Sequence, residues 1–168
     1  DPRSALETIG GLGRTALVEL DGLVVHLRDP LSPLAVSAPP RLSDVDELLA
    51  GPLRQSGVAV IVHLDPDLEL SSTVELGVYR IAQEALTNVA RHARATHARV
   101  EVLTDGPAVH LRVTDDGVGP HPSGSADPRR GSGLLGIGER VSDLGGHWSL
   151  TERPGGGAIV DVRLPRHP

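Results

Sequence analysis

Val78, Ile81, Ala82, Ala85 and Val89 recur three or four positions apart with mostly polar residues between them. That spacing puts all five on one stripe of an α-helix, and such a stripe needs an apolar surface to cover it. Ser72-Thr73-Val74-Glu75 has capping-box spacing, so the helix is expected to open at Ser72 and run to about Ala93. Directly downstream, Ala98 to Thr104 and Ala108 to Thr114 alternate apolar with polar on either side of Asp105-Gly106-Pro107. This predicts an antiparallel hairpin. A strong helix followed at once by alternating strands points to helices packed on a sheet.

The flanking segments extend that picture. Val58 to Leu64 is β-rich, and His147 to Thr151 and Ala158 to Leu164 read as two further strands joined by Pro154-Gly155-Gly156-Gly157. Ser43-Asp44-Val45-Asp46-Glu47 looks like an N-cap with acids in the first turn of a helix that Gly51-Pro52 kinks or ends. Pro120 to Gly131 is a polar loop, after which Leu134, Ile137, Val141 and Leu144 mark a helix ending at Gly145-Gly146. Ala5, Ile9, Leu12, Ala16, Leu20, Leu23 and Leu27 stripe a helix from about Ser4 to Arg28. Gly10, Gly11 and Gly13 each weaken it by about 1 kcal/mol relative to Ala, so it needs a packing partner. Asp29 to Pro40, with four prolines, is a linker. The expected fold class is a two-layer α/β sandwich over 41–168, a mixed sheet covered by helices on one face, preceded by the long helix of 1–28 and the linker of 29–40. The order of elements has no Rossmann-like β-α-β alternation and contains no GxxxxGK[ST], so a nucleotide site would be of another design.

Composition removes several function classes. The formal net charge of −6, with no basic stripe, argues against nucleic-acid binding through phosphate neutralisation. Without cysteine there are no disulfides, thiolate metal sites or Cys nucleophiles. No stretch approaches the roughly 20 apolar residues of a membrane span, and no signal-peptide pattern is present. The absence of methionine leaves no natural start, so the chain is expected to be a piece of a longer protein. Trp148 and Tyr79 are the only aromatic residues, so the core is aliphatic, with Trp148 in the core or on a sheet face. His63, His97, His110, His121, His147 and His167 form no metal-ligand spacing and are taken as surface or packing residues.

Three stretches carry chemistry. On the middle helix Glu84 and Asn88 are four apart, and Arg91 and His92 follow, so all four are expected on one face. Mg²⁺ takes hard oxygen ligands and keeps several waters, so the Asn88 amide oxygen plus triphosphate oxygens is a workable sphere. Glu84, one turn earlier, could orient a metal-bound water or the nucleophile. Asp115-Asp116-Gly117-Val118-Gly119 ends a strand. A carboxylate at Asp115 can accept the exocyclic amine of adenine, with Gly117 and Gly119 supplying positive φ and open space, and Thr114 could add a hydroxyl. Gly131-Ser132-Gly133-Leu134 is expected to open the next helix with free N–H groups aimed at phosphate, Arg129 and Arg130 adding charge. Each stretch alone fits an ordinary solvated face, Asp-Gly turn or glycine-rich helix start; together, and in this order, they describe a site for a magnesium nucleotide.

Tyr79 to Ala93 resembles the N box, Asp115 to Gly119 the G1 box, Gly131 to Gly136 the G2 box and Pro120 to Arg130 the ATP lid of bacterial sensor histidine kinases. These kinases lie within the Bergerat-fold superfamily that also holds DNA gyrase, MutL and anti-sigma-factor kinases. Gly138-Glu139-Arg140-Val141 and the closing glycine-rich hairpin are most similar to the DesK-like family, whose response regulators are NarL-like. The resemblance implies a Bergerat fold binding ATP and Mg²⁺. Asn88 would be the metal ligand, Glu84 the catalytic carboxylate, Arg91 or His92 phosphate-side groups, and Asp115 the adenine acceptor, with Gly117, Gly119, Gly131 and Gly133 shaping the pocket. It further implies transfer of the γ-phosphoryl to a histidine and then to an aspartate of a NarL-like response regulator. The first helix would be the second helix of a dimerisation and phosphotransfer unit forming a homodimer, in a cytoplasmic setting with any membrane anchor on absent parts of the parent chain. His26 is followed by Leu27-Arg28 instead of an acid, so the phosphoacceptor box is missing and this stretch alone should not autophosphorylate. Ala158 stands where the family usually has Thr, and the lid has no phenylalanine. An anti-sigma-factor-type serine kinase and a catalytically silent nucleotide-binding or dimerisation module share the same pocket.

Overall fold

Apolar alternation becomes strand at each expected place. In the computed structural model, which describes residues 39–120 and 128–167, five strands form one sheet in the order β1-β2-β3-β5-β4. They are β1 (Ala59–Leu64), β2 (His97–Asp105), β3 (Ala108–Asp115), β4 (His147–Glu152) and β5 (Ala158–Pro165). β1 is parallel to β2; every other neighbouring pair is antiparallel. Along β2 and β3, Val100, Val102, Val109, Leu111 and Val113 are buried, while Arg99, Leu103 and Arg112 between them are exposed, as period-2 side-chain alternation requires. The buried face shares one aliphatic core with α2 (Ser72–Asn88) and α3 (Pro128–Asp143), through Ile81, Leu86 and Ile137 among others. This is the expected two-layer mixed-sheet sandwich. The helix expected over 4–28 and all of the linker before Pro39 lie outside the described residues, as does 121–127 of the expected loop.

One β-α-β unit is present, which the order of elements did not suggest. β1 and β2 are adjacent and parallel, and the chain between them carries α2. Adjacent parallel strands need a crossover of a dozen residues or more, and the helix supplies it. The crossover stretches α2 from the β1–β2 edge across the sheet's buried face.

Local capping differs from the sequence pattern by one residue. Ser71, not Ser72, is the N-cap of α2: its side chain accepts from Val74 N–H at 3.4 Å. Glu75 does not close a capping box; its Oε1 accepts from Leu42 N–H at 3.2 Å and ties the first helical segment to α2. Ser71→Ala should therefore cost about 1 kcal/mol and Ser72→Ala only a few tenths, measured by urea denaturation. Equal costs would return the cap to Ser72.

Gly51-Pro52 does not end the first helical segment. A 3₁₀ turn (Leu42–Asp44) passes into a π segment (Val45–Ala50) and then into α1 (Gly51–Gln55). Gly51 N–H donates to Asp46 O, and Pro52 falls in the first turn of α1, where the winding changes from π to α. Arg54, held by Asp46 at 2.6 Å, donates from Nε to Val60 O at 2.9 Å, so a side chain occupies a carbonyl of edge strand β1.

Trp148 is half-buried against α3, where Gly138 lets the helix approach: a Cβ there would lie 3.3 Å from the indole Nε1.

Candidate nucleotide site

A cavity of about 100 Å³ opens between α2, α3 and the strand ends. Val113, Val160, Leu150 and Ala158 give it an apolar floor, and Asn88, His92 and Asp115 are its polar groups. It is smaller than the roughly 300–1,000 Å³ of pockets that enclose a whole drug-sized ligand, so it suits a flat ring with the remainder of the ligand lying past the mouth. Leu134, Gly119 and Pro120 complete the walls.

The α2 side is only partly as the spacing predicts. After Asn88 the helix widens into a π segment (Val89–Ala93) that ends at Arg94 in the left-handed region, φ +50°. The wider i→i+5 turn breaks the 3.6-residue period, so four residues do not share one face. His92 lines the cavity with Asn88, whereas Arg91 is exposed and does not line it. Arg94 is the only non-glycine residue with positive φ among those described. Strain of this kind, of order 1–3 kcal/mol, concentrates at functional sites. Asn88 Nδ2 is buried without a hydrogen-bond partner.

On the turn after β3, Asp115 is 7% exposed and faces the cavity, with Oδ1 accepting from Gly117 N–H at 2.8 Å. Thr114 is on the other face of the sheet, in an open groove with Ile61 and Arg99, because neighbouring strand residues point opposite ways. Its hydroxyl is therefore not among the cavity's groups, contrary to the sequence reading. The two glycines also divide their roles. Gly119 has φ +74°, but Gly117 does not take positive φ; it is glycine because a Cβ there would overlap the Ala93 carbonyl. Val118 N–H donates to that same carbonyl at 2.8 Å.

Two supports of this turn escape motif reasoning. Gly155, Gly156 and Gly157 all have positive φ, and a Cβ on Gly157 would overlap Asp115 O, so the β4–β5 hairpin tip seats directly on the turn. Asp116 accepts from Thr96 and His97, and those hydrogen bonds, the His97 backbone N–H first, hold its carboxyl far below the usual carboxylate range. The run of three glycines was a visible signal; nothing in the sequence pairs Asp116 with Thr96.

On α3 the helix begins at Pro128, so Gly131-Ser132-Gly133 lies inside its first turns instead of opening it. The free N–H groups of a helix belong to its first residues, which puts most of them before Gly131. Gly133 has a different use. A Cβ on it would overlap Glu84 Oε1 and come within 3.3 Å of Asn88 Oδ1, so the α3 backbone rests on the Glu84–Asn88 pair. Glu84, Asn88, Gly133 and Leu134 are thus brought together; Glu84 borders the cavity without lining it.

Residues 73–168 match the model of the family of histidine kinase-, DNA gyrase B- and HSP90-like ATPases. The chain belongs to this ATPase family. The ATPase chain is 38% identical over 117 residues to the methanol utilization control sensor protein MoxY of Paracoccus denitrificans, covering 66% of this chain and 26% of that protein. It is 26% identical over 148 residues to the sensor protein VraS of Staphylococcus epidermidis, covering 88% of this chain and 40% of VraS. Its fold is that of the catalytic domain of histidine kinase ThkA, at TM-score 0.60 and 16% identity over 75% of this chain and 91% of that one. The chain spans between 26% and 40% of the length of these two sensor proteins.

The ATPase site fits a magnesium nucleotide. Asn88, whose Nδ2 donor is buried without a partner, and the buried Asp115 carboxylate line one apolar slot. Nδ2 and the carboxylate can meet polar ligand atoms, and the Asn88 amide oxygen is a hard ligand of the kind Mg²⁺ takes. Among the described residues no group of three or more His, Asp or Glu side chains could hold a metal alone, so ligand oxygens from the nucleotide would complete the sphere. No helix among the described residues is long and apolar enough to cross a membrane.

Proposed function

We propose that Mg-ATP binds with its adenine in the cavity and its phosphates at the mouth, in the catalytic domain of a sensor histidine kinase. The observation that carries this reading is that Asn88, whose Nδ2 is buried without a partner, and the buried Asp115 line the same cavity. Asp115 accepts the adenine amine through its carboxylate while Gly117 N–H holds Oδ1 in place. Asn88 contributes its amide oxygen to the metal, and His92 lies on the phosphate side. Glu84, one turn from Asn88, orients the attacking group or takes its proton. Asn88 would hold Mg²⁺ together with the nucleotide, and the ion would supply positive charge against the charge that develops on transfer. The chain's own share is placement: two helices and one turn hold acceptor, amide and acid in fixed relation. Arg91 has no part in this reading.

In the intact protein the γ-phosphoryl passes to a histidine on a dimerisation helix and then to an aspartate of a response regulator. The order and wording of the boxes support a NarL-like partner, and the sensor-protein relatives support the two-component setting and a cytoplasmic position for this domain. Calorimetric titration of the full 168-residue chain with ATP, with and without Mg²⁺, tests the reading. ATP should bind in preference to GTP. Asp115→Ala should weaken ATP by about 10- to 100-fold, the worth of a hydrogen bond to a charged group. No uptake of ATP by the folded chain would end the proposal.

A further inference from the structure

Asp116 follows the adenine acceptor but is not among the groups of the cavity. Its Oδ1 accepts from Thr96 N–H and His97 N–H, each at 2.8 Å. Its Oδ2 accepts from the Thr96 hydroxyl at 2.7 Å and lies 2.9 Å from His97 Nδ1. Asp116 N–H in turn donates to His97 O at 3.2 Å. All these partners lie at the entry to β2, three and four residues beyond Ala93, the end of the π segment that carries His92. The turn is therefore tied to the exit of the metal-side helix twice, through the Asp116 side chain and through Val118 N–H to Ala93 O at 2.8 Å. Gly117 lies between the two ties with no room to shift toward Ala93. Because alternate residues of the strand end face opposite ways, anchoring Asp116 outward fixes Asp115 inward.

We infer that Asp116 is a positioning residue for base selection: its carboxylate clamps Thr96 and His97, and so sets where the Asp115 carboxylate stands relative to Asn88 and His92. The inference rests on the nucleotide reading for its effect on ATP, but the clamp itself can be read with no nucleotide present. Carboxylates that accept backbone N–H groups make stronger hydrogen bonds than neutral acceptors, so the tie should be sensitive to loss of charge and more so to loss of the side chain.

The test compares Asp116→Ala and Asp116→Asn in the full chain. Asp161→Asn is the control, since Asp161 also accepts from a histidine and an arginine, His110 and Arg112, but away from the cavity. Amide hydrogen exchange at Gly117 and Val118, without nucleotide, should quicken by about tenfold or more in Asp116→Ala and less in Asp116→Asn, whose oxygen still accepts from the two backbone N–H groups. With Mg²⁺ present, ATP affinity should drop by about tenfold and the preference for ATP over GTP should narrow in the same order, with Asp161→Asn unaffected. Unchanged exchange at both amides, or an intact ATP-over-GTP preference in Asp116→Ala, overturns the inference. Should the wild-type chain take up no nucleotide, the exchange measurement still judges the clamp, and it is the nucleotide reading that fails. If Asp116→Ala does not fold, Thr96→Val, which removes one donor, gives the same readings at smaller amplitude.

Discussion

Asn88→Ala is expected to lower Mg²⁺-dependent ATP affinity by on the order of 100-fold, about 2.7 kcal/mol, and to leave the melting temperature unchanged or raised. The two halves of that outcome come from one atom group. Asn88 lines the cavity, and its Nδ2 is buried with no partner. A buried, unpaired amide costs about 1–3 kcal/mol, and Ala is the better helix former by several tenths. The methyl that replaces the amide loses some packing, which offsets part of the gain. A residue whose removal spares or stabilises the fold is kept for what it binds. Titration with and without Mg²⁺ separates the effects: without the metal, variant and wild type should bind ATP alike. Equal Mg²⁺-dependent affinity in the variant would remove Asn88 from the metal site, and a fall of many degrees in melting temperature would make the amide a packing element.

The second large effect is structural. Gly117→Ala should cost about 3 kcal/mol or more of stability and weaken ATP binding with it, while Gly136→Ala should be neutral or gain up to about 1 kcal/mol. Both are glycines of the motif stretches, but their surroundings differ. A Cβ at Gly117 overlaps Ala93 O and lies 2.7 Å from Ala93 C, whereas nothing is within 4 Å of a Cβ at Gly136. Ala93 presents backbone, which cannot rotate away as a side chain can, so the methyl would have to break the Val118 to Ala93 hydrogen bond. Guanidinium denaturation of the two variants checks this. Similar midpoints for both would mean that the turn has room the geometry denies.

What could be read in advance follows from period. Strand residues repeat every two and helix residues every 3.6, so β2, β3 and most of α2 stand where alternation and stripe placed them. Three features have no such signature. The π segment at 89–93 leaves the apolar stripe intact while moving Arg91 off the site. The start of α3 is masked by Gly131, Gly133, Gly136 and Gly138, which make helix look like loop; Pro128 at the first helical position was the signal to weigh. Strand order is the third, since the insertion of β5 between β3 and β4 is decided by long-range pairing. Among site residues, Asn88, His92, Asp115, Gly119 and Leu134 meet at the cavity, with Glu84 and Gly133 at its border. Thr114 and Arg91 do not, because strand parity and helix winding override closeness in sequence.

The parity of β3 has a wider consequence. Thr114 and Asp115 are one step apart and face opposite media, and Thr114 is held in place by Arg99 on one side and Ile159 on the other. A slip of a single rung would turn the acid to solvent and hand the slot a hydroxyl, with every motif letter still present. Ligand choice is therefore written as much in the plain valines and leucines that lock the rungs as in the signature residues, and a mutation among those hydrocarbons can blind the site without touching it.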